Sequence, residues 1–361
     1  MTTSQRLDLL SRTHQDLFPR AELQRLVQTE LGHLDALDRW VCYDGRHVRA
    51  RAPHLIYHIC AGNLPVSAWT SLMHGLLLGA RNVVKLPSDR DDSSASREIL
   101  HFIRRLSPPL RRLVKTSRKL EATLFAQADV IVAFGSDSTM KNLRAQIRWN
   151  QKFIAHGHAL SLLWIEHPAR LTSKQVNACA IDILTYDQLG CLSPQAIYFP
   201  EGNDPVALGA QLADALEGQW IRLNPKPARG LAITARINEA RDLAYALGHR
   251  VWLPPQKHFG WTLIFDSDPT FQPSPLHGVI YLRQASVSQL ERALDPLRGR
   301  ISTVGLTEKT SSRLQDLFLS LGVSRFCAAG RMQFPSFTWH HDGRPALGDL
   351  VSWIDSEPLA P

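Results

Sequence analysis

A two-lobed α/β fold built on parallel sheets is what this sequence predicts, and three observations predict it. Short β-rich runs of about four to seven residues alternate with helical patterns of about ten to fifteen, the rhythm of β-α-β crossovers. The alternation restarts beyond about residue 157, which separates a second lobe from the first. A chain of 361 residues also exceeds the roughly 250 to 300 at which a single core stops growing.

Taken in order, residues 1–50 read as a helical arm, because Leu7 and Leu10, Leu23 and Leu26, then Leu31, Leu34 and Leu37 recur at helical intervals. The first lobe, residues 51–156, follows as strand "HLIYHIC", helix "VSAWTSLMHGLLLGA", strand "RNVVKLPS", helix "DDSSASREILHFIRRL", strand "ADVIVAFGS" and helix "DSTMKNLRAQIRW". Ligands of such sheets collect beyond the C-terminal strand ends, which here carry "AGNLP", "KLPS" and "FGSDST". The second lobe, residues 157–322, opens with strand "LSLLWI", helix "SKQVNACAIDILTYDQ", a cysteine turn and strand "QAIYF", with later strands at "WTLIFD", "GVIYL" and "ISTVGL". Residues 323–361, rich in Gly, Pro and aromatics, read as a closing loop with a short helix that returns to the first lobe.

Composition narrows the class. The hydrophobic set makes up 44% and the charged set 20%, which is globular and not disordered. No run of about 18 apolar residues occurs, and the first residues lack a signal-peptide centre, so the expectation is a cytoplasmic protein with no membrane span. Five cysteines without CxxC spacing fit reduced thiols, with neither a disulfide framework nor a metal site. The net charge of +8 suits a nucleotide, a CoA phosphate or an acidic carrier protein, and equally a solvated basic surface. The basic run "RRLSPPLRRLVKTSRK" has no interleaved aromatics, so no nucleic-acid partner is expected.

Several residues can carry chemistry. Cys191 follows Gly190 between a helix and a strand, where a thiolate can attack a thioester or aldehyde carbon; a buried, inert cysteine is the competing reading. The bland reading is the stronger one for Cys60 and Cys179, which sit in strand and helix patterns. Asn63 in "CAGNLP" can donate its amide to an oxyanion, or be an ordinary turn residue. Lys85 can reach ribose or phosphate, while Ser88 and Arg90 can accept a 2′-phosphate. Gly135 and Ser136, at a strand–turn–helix junction, suit phosphates at a helix N-terminus, although no GxGxxG is present. His156 and His158 flank Gly157 without further ligands at recognisable spacing, which argues against zinc and leaves a proton donor or a pocket wall.

In their order, "HICAGNLP", "NVVKLPS", "ADVIVAFGSDST", "FIAHGHALS", "YDQLGCLSPQAIYF" and "GVSRFCAAGRMQFPSFTWHHDGRPALGDLVSW" resemble the LuxC-like acyl-CoA reductase family, typified by the bacterial bioluminescence fatty-acid reductase. The resemblance runs from about residue 50 to the C-terminus. It implies an aldehyde dehydrogenase-like fold with the catalytic cysteine at the cleft between two Rossmann-like lobes. It also implies NADPH-dependent reduction of an acyl thioester, on CoA or an acyl carrier protein, to an aldehyde. On that resemblance Cys191 is the nucleophile, Asn63 and the Cys191 N–H the oxyanion hole, Lys85 the ribose contact, and Gly135 with Ser136 the cofactor turn.

Two departures refine this. Ordinary aldehyde dehydrogenases carry a glutamate where Ser88 stands, and its absence favours NADPH by removing repulsion of a 2′-phosphate. The water-activating glutamate of the acid-forming enzymes is also missing, with His156 at roughly its position, so the acyl-enzyme should persist until reduced. The N-terminus reads as shorter than in the bioluminescence enzymes. A homo-oligomer is compatible with the superfamily. A cysteine acyltransferase or thioesterase without nicotinamide, and a non-catalytic carrier-binding subunit, remain the alternative functions.

Overall fold

The computed structural model describes residues 1–62, 64–87, 94–223, 229–256 and 258–357. The chain forms two compact units, Met1–His158 with Ser336–Pro361, and Ala159–Pro335.

The first unit holds a five-stranded parallel sheet in the order Val114–Ser117, Arg81–Lys85, Leu55–Ile59, Val130–Phe134, Lys152–His156. Chain order reverses between Leu55–Ile59 and Val130–Phe134, the switch point at which nucleotides bind in doubly wound sheets. The strand Leu55–Ile59 is buried along its whole length, as a central parallel strand must be. Within it His58 is buried and held neutral, pushed down to about 4 by burial. Asn82 donates to Ala80 O at 2.8 Å, so its Oδ1 accepts from His58 Nε2 at 2.9 Å, and Ser71 Oγ then serves Nδ1 at 2.7 Å. Room for Asn82 comes from Gly75 in the helix Val66–Leu78, where a Cβ would stand 1.9 Å from the amide oxygen.

The helices Thr3–Thr13 and Arg20–Leu31 bury Leu7, Leu10, Leu23 and Leu26 in this unit's core, and buried Arg6 donates to Leu77 O at 2.6 Å. The helical reading of the arm ends there. Residues Val41–Tyr43 and Arg46–Arg51 form an antiparallel hairpin, because Asp44 (φ 49) and Gly45 (φ 71) make a two-residue turn and alternate residues Val48 and Ala50 face the core. The strand Ser352–Ser356 pairs with Arg46–Arg51.

The second unit holds a seven-stranded sheet in the order Arg250–Trp252, Thr262–Asp266, Val279–Gln284, Pro194–Phe199, Leu160–Trp164, Ile301–Leu306, Arg325–Ala328. All neighbours are parallel except the first pair. Residues 323–335 therefore belong with this sheet and not with the closing tail. The expected short helix of the tail is absent among the described residues, where Gly330, Pro335, Gly343, Pro345 and Gly348 break the chain into turns. No described helix is long and apolar enough to cross a membrane.

Candidate functional site

In the second unit the helix Ser173–Leu184, capped by Thr172 over Gln175 N, leads into three successive left-handed residues: Tyr186 (φ 56), Asp187 (φ 53) and Gln188 (φ 61). L-residues adopt that region at a cost of about 1–2 kcal/mol each, so surrounding bonds must hold the run in place. They do. The Asp187 carboxylate takes Arg229 Nη2 at 2.7 Å and His277 Nδ1 at 2.5 Å. Buried Gln188 donates to Pro194 O at 2.8 Å and Val279 O at 3.0 Å and accepts Gly278 N at 2.9 Å.

The turn that follows presents Cys191, half-buried. Its carbonyl accepts Ser161 Oγ at 2.7 Å, and Ser193 N donates to Gly190 O at 3.0 Å. Gln333 Nε2 reaches Ser193 Oγ at 2.9 Å from the loop whose N–H groups at Gly330 and Met332 bind the Asp182 carboxylate. Burial outweighs those bonds and pushes the Asp182 carboxyl up to about 6. Burial also pushes the thiols of Cys60 and Cys179 up to about 12 and that of Cys327 up to about 11, which removes them as nucleophiles near neutrality. None of the five cysteines, all among the described residues, is in a disulfide.

In the first unit Lys85, Gly135 and His156 stand at the C-terminal ends of three sheet strands. Gly135 N donates to His156 O at 3.2 Å. Ser136 is the N-cap of the helix Asp137–Arg144, its hydroxyl accepting Thr139 N at 3.2 Å. The adjacent Asp137 carboxylate accepts His158 N at 3.1 Å. Asn63, Ser88 and Arg90 lie outside the described residues. The candidates thus divide between the units, with Cys191 in the second and Lys85, Gly135, Ser136 and His156 in the first.

Sequence reasoning missed the surroundings of His156. Asp342 Oδ2 accepts from its Nδ1 at 2.7 Å, Phe134 stacks on its ring with centroids 4.6 Å apart, and His341 stacks on it at 4.3 Å, with Trp339 on His341 at 4.7 Å. Burial, and then the field of His156, push His341 down to about 4, while burial together with His341, His58 and His156 pushes His74 down to about 3. Burial alone would raise the Asp342 carboxyl, but the His156 bond and neighbouring His341 outweigh it and hold the group below the usual carboxylate range. One atom each of His156, His341 and Asp342 lie within 4.8 Å of one another, near enough for a cation to be considered. The signal available in the sequence was "HHDG", whose Asp-Gly pair marks a hairpin turn.

The family profile for acyl-CoA reductase (LuxC) matches residues 2–353. A long-chain acyl-protein thioester reductase of Aliivibrio fischeri is 24% identical over 94% of this chain and 72% of its own length, and one of Vibrio harveyi is 25% identical with the same coverage. Among solved structures, the P. syringae indole-3-acetaldehyde dehydrogenase bound to NAD+ superposes with a TM-score of 0.72 at 12% identity, over 99% of this chain and 84% of that one. The NADP-dependent glyceraldehyde-3-phosphate dehydrogenase of Bacillus halodurans, complexed with NADP, gives 0.70 at 12% identity, over 99% and 87%. The fold is that of the aldehyde dehydrogenases, two Rossmann-like α/β units.

Proposed function

Since the chain belongs to the acyl-CoA reductase (LuxC) family, we propose that it reduces an acyl thioester, carried on CoA or on an acyl carrier protein, to an aldehyde through an acyl group on Cys191, with NADPH as reductant. The observation that carries the reading is the cysteine turn. A strained left-handed run is tolerated where neighbouring bonds over-determine it, and such strain concentrates at active sites.

Cys191 forms the new C–S bond as the thiol of the carrier departs with a proton, and the acyl group stays on the enzyme. NADPH, when bound, supplies the hydride that brings the thioester carbon to the aldehyde level. One proton completes the balance, and cleavage of the Cys191 C–S bond frees the aldehyde. Asn63 and the Cys191 N–H stabilise the oxyanion. His156 moves the proton, and the segment "HGHALS" carries no glutamate of its own to activate water against the acyl-enzyme. The first unit suits a dinucleotide: its parallel sheet has a switch point, and Lys85 and Gly135 end strands on either side of it. Without a carboxylate, Ser88 favours the 2′-phosphate of NADPH over NADH. The protein works in the cytoplasm.

The test follows NADPH and NADH oxidation by the purified protein with acyl-CoAs and acyl carrier protein thioesters, alongside Cys191→Ala. Aldehyde formation lost in the variant, with an acyl adduct on Cys191 in the mass spectrum when NADPH is omitted, is the expected result. Acyl release or transfer without nicotinamide oxidation would replace it with a thioesterase or acyltransferase, and carrier binding without turnover with a non-catalytic subunit.

A further inference from the structure

We infer that Asp342 is a positioning residue, which holds His156 in one tautomer and one ring orientation so that Nε2 is the atom exchanging a proton. The inference rests on the reductase reading for its chemistry, but its geometry is independent of it.

His341 and Arg344 form an antiparallel bridge, and between them Asp342 (φ 52) and Gly343 (φ 74) both take positive φ, the pattern of a type I′ hairpin turn. Asp is among the few residues tolerated there, so the turn's own requirement and the carboxylate at its tip coincide. The turn is anchored on its C-terminal side. Arg344 Nε meets Asp349 Oδ2 at 2.7 Å, and the Glu30 carboxylate accepts the N–H groups of Ala346, Leu347 and Gly348 at 2.9, 2.5 and 3.0 Å.

An ionised carboxylate only accepts hydrogen bonds, so the 2.7 Å contact requires the proton of His156 to sit on Nδ1 and leaves the lone pair of the neutral ring on Nε2. Phe134, inclined by 11°, and His341, inclined by 24°, stack against the imidazole and oppose its rotation. The ionisable groups around it are Asp342 and His341 from the turn and His74 from the helix Val66–Leu78, with Arg344 acting on Asp342 and Asp137 at the neighbouring helix start binding His158 N. The Asp342 oxygen is already at hydrogen-bond distance from His156 Nδ1, so that nitrogen, carrying its proton, has no lone pair to offer a cation.

Imidazole 15N spectra of the full chain labelled at histidine, with His156→Gln to assign the signals, read the tautomer without any substrate. The wild type is expected to show His156 protonated on Nδ1, and Asp342→Asn to lose that preference. In the reductase assay Asp342→Asn is expected to lower kcat roughly 100-fold with little change in KM. An unchanged tautomer in Asp342→Asn would overturn the inference. So would kcat falling in step with Tm, or stoichiometric Zn2+ binding that consumes Nδ1. If the wild type reduces no thioester while the tautomer responds as expected, the reductase reading fails and the Asp342–His156 pairing stands.

Discussion

The Glu30 carboxylate binds the backbone N–H of Leu347 at 2.5 Å across 317 positions of sequence, and it binds the N–H groups of Ala346 and Gly348 as well. The N-terminal arm is thus the anchor of the segment that carries Asp342. Glu30→Ala leaves three N–H groups without this acceptor and should cost about 2 kcal/mol. Hydrogen exchange should quicken over residues 341–348 in the variant, and unaltered protection there would show that the anchor does not hold the turn.

Asp187 and Gln188 lock the run before Cys191. Asp187→Ala removes the acceptor of Arg229 and His277, and should lower stability by about 2–3 kcal/mol. Turnover should fall at least about tenfold even at temperatures where the variant stays folded, because a misplaced nucleophile loses its near-attack geometry. Retained kcat in a folded Asp187→Ala protein would show that the turn holds without it.

Asp182 makes stability depend on pH. With its folded pKa raised to about 6, against an unfolded value near 4, the folded chain binds more protons between those limits, so this group's contribution falls as pH rises from about 4 to about 6 and is flat above. The span is on the order of 3 kcal/mol. Asp182→Asn also loses one acceptor for Gly330 or Met332, so the slope and not the offset is the readout. Urea denaturation of both proteins across that window should show the wild type losing stability relative to Asp182→Asn as pH rises, while the lowered pKa values of His58, His74 and His341 act on both proteins alike.

Gly75→Ala would drive a methyl into the Asn82 amide that accepts from His58 in the sheet centre. A loss of roughly 2–3 kcal/mol is expected, read as a lower midpoint in urea. If the variant is as stable as the wild type, the helix has shifted without cost and the close packing is not required.

What the sequence by itself determined was local. Buried runs such as "VIVAF" and "VIYL" read as parallel strands because no polar alternation interrupts them, and Cys191 stood out because a helix pattern ended and a strand began around it. The strand Val114–Ser117 was not legible, since it lies at the sheet edge with no fully buried residue, and the hairpin from Val41 was obscured by leucines spaced as in a helix. Among the site residues, Cys191 and Lys85 are marked by their places at element ends, and His156 by its pairing with His158 around Gly157 and by the family resemblance. Their partners were not, because hydrogen bonding across long separations leaves no periodicity in the chain. Asp342 meets His156 across 186 positions, and His277 meets Asp187 across 90. Only the tertiary structure decided those pairings: burial makes an unpaired charge costly, so each carboxylate is placed where folding delivers a donor to it.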